Sequence, residues 1–284
     1  MRWLLSLAPL LLGAAAKPDA ATILKEAPAD AWATIPPADL LVMRVKGARV
    51  TIWLARNLAP AHVANIERIA RAGWWADATI YRVQDNYVTQ WGDATEKKPP
   101  AAGVARPPAE YDWAWTPPAR ANPYRDAYAA KTGFTAGGWA VAGDGKRQWL
   151  PHCYAMVGVA RDLAPDTGSG GDLYTVIGHA PRHLDRNIAL VGRVIEGMAA
   201  LASLPRGGGA LGVYERAEQR VPISQVALAS DLPEGERPRF TYLRPQAPAF
   251  AAYLEARANR QPPFFTVPAN AADLCNLPVP VRAG

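Results

Sequence analysis

The sequence offers few of the side chains from which catalytic centres are usually built. It has four histidines, and it lacks the Gly-x-Ser-x-Gly turn of serine hydrolases, the phosphate-binding Gly-x4-Gly-Lys-Ser/Thr loop and the His-Glu-x-x-His pair of zinc peptidases. His179 and His183 stand four residues apart, but Pro181 between them would disrupt the helix that aligns such a pair on a metal. We therefore expect no metal and no cofactor, and a metal-dependent hydrolase using these histidines is the least favoured function.

The lack of a nucleophile is compatible with a reaction that breaks no covalent bond. Rotation about the amide before a proline is such a reaction, and its barrier of about 18–20 kcal/mol comes from resonance between nitrogen and carbonyl. A catalyst must hold the proline ring in an apolar pocket and stabilise the twisted amide. An arginine suits the second task, because it stays charged and presents a rigid fork of donors to the prolyl nitrogen.

Three segments carry an ordered pattern of residues. Residues 76–93 contain Thr-Ile-Tyr-Arg-Val and then Tyr-Val-Thr-Gln-Trp-Gly-Asp. Residues 165–177 run through Thr-Gly-Ser-Gly-Gly-Asp into Leu-Tyr-Thr-Val-Ile, and residues 184–198 contain Leu-Asp-Arg-Asn and Val-Gly-Arg-Val-Ile-Glu-Gly-Met. In this order they resemble the signature of the cyclophilin-type peptidyl-prolyl cis–trans isomerases, and the likeness covers roughly residues 40–230.

The resemblance implies a mainly β fold, an eight-stranded antiparallel β-barrel capped by two helices, and the activity of a peptidyl-prolyl isomerase (EC 5.2.1.8). It implies that Arg82 is the catalytic residue. It assigns substrate binding to Tyr87, Val88, Gln90, Ala160, Arg161, Tyr174, Thr175, His183 and Leu184. In this assignment Tyr87, Val88 and Leu184 belong to the proline pocket, and Gln90 donates to a substrate carbonyl.

Several positions depart from the family pattern. The departures are Tyr81 and Ile188 at usual histidines, Trp91 at a glycine, Leu173 at a glutamine, Thr175 at a phenylalanine and His183 at a tryptophan. We therefore expect one wall of the pocket to be less aromatic than usual. This expectation leaves an alternative function, a catalytically weak cyclophilin-like chaperone or binding module of the cell envelope.

Short strands dominate the predicted elements. We predict strands over 39–45, 48–54, 79–83, 87–90, 154–160, 173–177, 189–194 and 221–228. Lys46-Gly47 predicts a tight turn that joins the first two strands into a hairpin. One helix begins at Pro60 and ends at Gly73 in a left-handed cap, and a second spans 196–204. Independently of the resemblance, this composition favours a barrel or sandwich.

Composition shifts divide the chain into segments. Residues 1–16 are a predicted signal peptide, with one arginine, an apolar run and small residues before Lys17, and residues 17–38 form a leader. The barrel extends over 39–230, and a Pro-rich extension over 231–284. Within the barrel, 94–150 is an insertion whose three Pro-Pro pairs should break any regular element and whose four tryptophans should lay it over the surface.

The predicted signal peptide determines the expected compartment and partners. We expect a periplasmic or secreted monomer without a membrane span, acting on proline-containing peptides and unfolded exported proteins. The net charge of +6 is scattered along the chain, so we expect no nucleic-acid partner. Cys153 and Cys275 are the two cysteines, and the sequence leaves open whether they form a disulfide or remain two buried thiols.

Overall fold

The computed structural model describes residues 17–284, and the predicted signal peptide lies outside the described residues. The strands of the described part are β1 (Trp32–Thr34), β2 (Leu40–Val45), β3 (Ala48–Leu54), β4 (Thr79–Val83), β5 (Val88–Gly92), β6 (Trp113–Ala114), β7 (Arg120–Ala121), β8 (Lys131–Phe134), β9 (Ala140–Gly143), β10 (Arg147–Trp149), β11 (Met156–Val159), β12 (Leu173–Val176), β13 (Leu190–Glu196), β14 (Val221–Leu228), β15 (Phe240–Leu243) and β16 (Val281–Ala283). The α-helices there are α1 (Ala20–Glu26), α2 (Pro60–Arg71), α3 (Met198–Ala202) and α4 (Pro248–Ala258).

Eight of these strands close into a barrel in the order β11-β12-β5-β4-β14-β2-β3-β13. The last strand pairs back with the first, and all of these neighbours are antiparallel. The predicted fold class, a mainly β antiparallel eight-stranded barrel, is thereby confirmed. Because the sheet has no free edge, every barrel strand is held on both sides, which gives the site a rigid wall.

The hairpin of β2 and β3 forms as its sequence predicts. Lys46 and Gly47 both have a positive φ, at 50° and 81°, as a two-residue hairpin turn requires. In β2, Leu41 points into the barrel interior, whereas Leu40 packs outward in a second apolar cluster. Both faces of this strand are therefore buried, which accounts for its nearly continuous apolar run.

Two helices close the barrel. Helix α2 begins at Pro60 and ends two residues before Gly73, whose φ is 61°. Its apolar face, with Val63 and Ile66 among the fully buried residues, packs into the barrel interior together with Leu201 of α3. Helix α3 is shorter than predicted, because residue 196 still belongs to β13 and Gly197 turns the chain with a φ of 84°.

The insertion is more regular than the sequence predicts. It forms a five-stranded antiparallel sheet in the order β6-β10-β9-β8-β7, so the expectation that its prolines would break any regular element is wrong. The Pro-Pro pairs lie between strands, where they remove no hydrogen bond from the sheet. The tryptophans do hold the insertion to the barrel, since the rings of Trp139 and Trp53 of β3 lie 4.7 Å apart.

The leader and the C-terminal extension form one layer. Strand β1 of the leader pairs with β15, which pairs with β16, and α1 packs against α4 in an apolar cluster shared with the insertion. Cys153, just after the insertion, is bonded to Cys275 of the extension, with 5.0 Å between their Cα atoms. The disulfide that the sequence leaves open is therefore formed. No helix within residues 17–284 is long and apolar enough to cross a bilayer.

This disulfide predicts a measurable loss of stability on its removal. It joins residues 122 positions apart, and closing so long a loop restricts the unfolded chain. We expect the Cys153→Ser, Cys275→Ser double variant to lose about 2–5 kcal/mol of unfolding free energy. Urea unfolding of oxidised, reduced and double-variant protein measures this loss. Equal midpoints for all three would contradict the prediction.

Candidate functional site

Arg82 lies in the middle of the barrel wall, where β4 pairs with β5. Its Cα is registered with that of Gln90, and one guanidinium nitrogen donates to Gln90 Oε1 at 2.9 Å. Its Nε donates to the carbonyl of Leu211 at 2.7 Å, and the other terminal nitrogen donates to Gln84 Oε1. Three of the five N–H groups of Arg82 are therefore bonded to residues of the described part of the chain, which leaves two for a substrate.

The three acceptors of Arg82 are all neutral. No carboxylate of residues 17–284 forms an ion pair with this guanidinium. Burial lowers its pKa, an effect that the hydroxyls of nearby tyrosines partly oppose. The positive charge is thus held in one orientation without being neutralised, as a donor to a developing lone pair must be.

An apolar surface lies beside this guanidinium. The Tyr87 ring centre is 5.8 Å from the guanidinium carbon of Arg82, and the same ring stacks on the exposed His183 with 6.2 Å between the ring centres. Tyr87 and Ile188, both partly exposed, pack against a small apolar cluster of the buried residues Val88, Tyr174 and Val176. The structure thereby brings together Arg82, Gln90, Tyr87, Val88, Tyr174 and His183 from the predicted site.

Leu184 lies in the loop after β12, and Ala160 and Arg161 lie in the loop after β11. Leu184 is half-buried on the 3₁₀ turn that also carries His183. The amide of Ala160 donates to the carbonyl of Asp172 at 2.9 Å. Arg161 donates twice to the carbonyl of Asn187, at 2.9 and 3.1 Å, which fixes it beside the loop that leads to the apolar cluster.

Thr175 does not belong to this surface. It is fully buried, and its Cα partners on the two neighbouring strands, Thr89 and Val157, are fully buried too. Successive residues of a strand face opposite sides, so Tyr174 faces the apolar cluster and Thr175 faces the barrel interior. The assignment of Thr175 to substrate binding is therefore wrong. Tyr174 is the aromatic residue of this strand that joins the apolar cluster.

The ring of Tyr174 is held by a buried histidine. It lies over Gly158 of β11, where an added β-carbon would be 2.3 Å from the tyrosine hydroxyl oxygen. That hydroxyl is 2.9 Å from Nε2 of His152, and Nδ1 of His152 is 3.0 Å from Oδ1 of Asp185. The carboxylate can only accept, so Nδ1 carries the proton, and Nε2 accepts from Tyr174.

This chain of hydrogen bonds continues into the insertion. Arg182 donates to Asp185 at 2.6 Å and to both carboxylate oxygens of Asp126, at 2.9 and 3.1 Å. Burial lowers the pKa of His152 despite the neighbouring Asp185. Burial alone would raise the pKa of Asp185, but hydrogen bonds from His152 and the charge of Arg182 outweigh it and lower that pKa. No local pattern predicts this chain of hydrogen bonds, because His152 and Asp126 lie 33 and 56 positions from the residues that they bind.

His179 and His183, the two histidines of the metal hypothesis, have different contacts. His183 stacks on Tyr87, whereas the backbone amide of the exposed His179 donates to Asn86 Oδ1 at 2.8 Å. Throughout residues 17–284, no three or more His, Cys, Asp or Glu side chains are grouped so that they could hold a metal ion.

Comparisons with known proteins identify the family of the barrel. The family model described as cyclophilin type peptidyl-prolyl cis-trans isomerase/CLD matches residues 40–228, from the first residue of β2 to the last of β14. The structure is similar to cyclophilin AquaCyp293 from Hirschia baltica, with a TM-score of 0.71 and 24% identity over 89% of this chain and 93% of that chain. This likeness in fold extends beyond the barrel into the added segments.

More distant similarity links the chain to a cyclophilin-type peptidyl-prolyl cis-trans isomerase of Cryptosporidium parvum, solved in the presence of the dipeptide Ala-Pro. The TM-score is 0.43 and the identity 11%, over 66% of this chain and 98% of that chain. No curated protein matches the chain. Since the family model spans the whole barrel, the chain belongs to the cyclophilin-type peptidyl-prolyl cis–trans isomerases, enzymes that interconvert the cis and trans forms of X–Pro bonds.

Proposed function

We propose that the chain isomerises X–Pro bonds of exported proteins, whose folding it assists, and that Arg82 is its catalytic residue. The observation that carries the proposal is the Arg82 guanidinium, held by three neutral acceptors beside the partly exposed ring of Tyr87. Isomerisation before proline takes tens to hundreds of seconds and limits the folding of many proteins. A catalyst in the same compartment would remove this delay.

The mechanism follows from what this site can stabilise. The proline ring would rest on Tyr87 and Ile188, the partly exposed residues that cover the apolar cluster, and Gln90 would donate to a carbonyl of the peptide chain. As the amide twists, the prolyl nitrogen loses resonance and its lone pair becomes an acceptor. A free N–H of Arg82 can donate to that lone pair, a bond that the planar ground state does not make. Stabilisation limited to the twisted state raises the rate and not merely the affinity.

The proposed compartment is supported by two observations. The first sixteen residues have the charge, apolar run and small residues of a signal peptide. The Cys153–Cys275 disulfide agrees with an oxidising environment, since such bonds are rare in reducing compartments.

Expression of the full chain in a Gram-negative bacterium tests the export. We expect the protein in the periplasmic fraction or the medium with Lys17 as its first residue, because the small residues before it suit the signal peptidase. Fractionation followed by mass spectrometry of the intact protein measures this. A matched chain that begins at Met-Lys17 is the control and should stay in the cytoplasm. An uncleaved cytoplasmic product from the full chain would contradict export.

Purified mature protein tests the activity on an Ala-Pro peptide by NMR exchange and then on a protein whose refolding is limited by proline isomerisation. We expect acceleration of both reactions. Acceleration of the peptide alone would contradict the folding role. Peptide binding without acceleration would instead support the alternative function, a cyclophilin-like binding module. The two hydrogen bonds from Arg82 to Leu211 and Gln84 are the specific feature that could reduce turnover in that case.

A further inference from the structure

A single chain of hydrogen bonds runs from a half-buried carboxylate to the Arg82 guanidinium. The Tyr81 hydroxyl lies 3.1 Å from Oδ1 of Asp172, and Gln90 Nε2 lies 2.5 Å from the same hydroxyl. Gln90 Oε1 then accepts from Arg82 at 2.9 Å. Three strands of the barrel wall, β4, β5 and β12 with the residue before it, contribute to this chain.

The polarity of this chain is determined by its two ends. Arg82 can only donate, so Gln90 must present its carbonyl oxygen to the guanidinium and its NH₂ group to Tyr81. The Tyr81 hydroxyl accepts from this NH₂ group and donates its own proton onward. Asp172, when ionised, can only accept, and it therefore completes the chain in one direction.

A backbone irregularity allows Tyr81 to join this chain. The pairing of β4 with β5 shifts register between Ile80 and Arg82, so Tyr81 is an extra residue on its strand. Such a bulge re-aims the side chains next to it. Tyr81 and Arg82 are consecutive, yet both contact the side chain of Gln90. A regular strand would have placed them on opposite faces.

The Gly92 position leaves room for the carboxylate. A β-carbon at Gly92 would lie 2.0 Å from Oδ1 of Asp172, and the φ of Gly92, 152°, is one that residues with side chains rarely adopt. A glycine at this position therefore lets Asp172 approach Tyr81.

We propose that Tyr81 and Asp172 are positioning residues, which hold the Gln90 amide in the one orientation that supports Arg82, and that the enzyme is most active when Asp172 is ionised. The inference rests on the proposed catalytic role of Arg82. It assigns a role to Tyr81, which stands where the family usually has a histidine.

The surroundings of Asp172 place its ionisation close to neutral pH. Burial, helped by the nearby charges of Asp93 and Glu96, raises its pKa to about 6, although hydrogen bonds from the Tyr81 hydroxyl and the Asp93 amide oppose the rise. By contrast, hydrogen bonds from backbone amides and Thr95 lower the pKa of Asp93 to about 2, against the effect of burial, so Asp93 stays charged throughout this range. Below pH 6, Asp172 is protonated and is a weaker acceptor for Tyr81.

To test this inference, the isomerase activity and the side-chain amide resonances of Gln90 are measured between pH 5 and 8. We expect kcat/KM of the wild type to fall severalfold towards pH 5 with a midpoint near pH 6, and KM to change less than kcat. Tyr81→Phe and Asp172→Asn should each lower kcat/KM at pH 7.5 by about three- to tenfold, as loss of one hydrogen bond does, and remove this midpoint. Tyr242→Phe, which loses a hydroxyl bound to Ala136 far along the chain, is the matched control and should keep the wild-type profile.

The side-chain amide resonances of Gln90 give a second readout that needs no activity. We expect their chemical shifts to change with a midpoint near pH 6 in the wild type and to stay constant in Asp172→Asn. A pH-dependent shift of the Gln90 resonances in a wild type without isomerase activity would overturn the proposed function and support the positioning role. An active wild type in which neither kcat/KM nor the Gln90 chemical shifts change near pH 6 would overturn the positioning role. So would a Tyr81→Phe variant that keeps the full wild-type profile.

Discussion

Replacing Arg82 by alanine is expected to lower kcat/KM for an Ala-Pro peptide by about 10²- to 10³-fold, the usual effect of removing one fixed donor to a transition state. The loss should fall mainly on kcat, because the donation to the prolyl nitrogen exists only in the twisted state. NMR exchange or a protease-coupled assay on Arg82→Ala and wild type measures it. The barrel should remain folded, since the guanidinium has no buried charge partner.

Arg44→Ala is the matched control for this substitution. Arg44 also lies on a barrel strand, β2, and its Nε also donates to a glutamine side chain, Gln225 Oε1 at 3.1 Å, but it is exposed and lies outside the site. We expect its kcat/KM to equal that of the wild type. Equal rates for Arg82→Ala and wild type would contradict the catalytic role. A loss of the same size in Arg44→Ala would show that the effect is not specific to the site.

Arg82→Lys separates the charge from its geometry. A lysine keeps the positive charge but offers a flexible point charge in place of a planar fork. It cannot donate to Gln90, Gln84 and Leu211 and still direct two fixed N–H groups at a substrate. A rate between those of Arg82→Ala and the wild type would therefore be expected.

Local sequence signals predicted the barrel better than the parts that surround it. The β2–β3 hairpin and α2 have their own turn and cap residues, Lys46-Gly47 and Gly73, and the structure places both as predicted. The insertion offered no comparable signal. Its strands are two to four residues long, and its Pro-Pro pairs look like breaks until the pairing of distant strands is known. Tertiary contacts decide such short strands.

Local sequence patterns likewise predict one part of the site and not the other. Arg82, Tyr87 and Gln90 follow from the spacing of one short segment, and the structure groups them. Tyr174 and Thr175 differ by one residue, and such a difference in register exchanges the two faces of a strand, so the sequence could not tell which faces the pocket. The contacts of Tyr174 with His152 and of His152 with Asp185 join residues 22 and 33 positions apart, and no local pattern predicts such pairs.

Replacing Arg182 by methionine is expected to destabilise the protein by about 3–5 kcal/mol, because it leaves the buried carboxylates of Asp126 and Asp185 without their shared cation. The side chains of Arg182 and Asp126 are 2% and 0% exposed, so water cannot take the place of the lost ion pairs. Urea unfolding at pH 7 measures the loss. Arg186→Met is the matched control: it removes a half-exposed arginine that pairs with Asp112, and its cost should be below about 1 kcal/mol.

Arg182→Met should also affect substrate binding through Tyr174. Asp185 orients His152, and His152 accepts from Tyr174, so a displaced Asp185 releases the tyrosine ring from its position over Gly158. In folded Arg182→Met we expect KM to rise severalfold while kcat changes less, since the Arg82 guanidinium is held by other residues. A variant as stable as the wild type would contradict the structural role of the ion pairs. A destabilised variant with unchanged KM would show that the insertion supports the barrel without positioning its substrate surface.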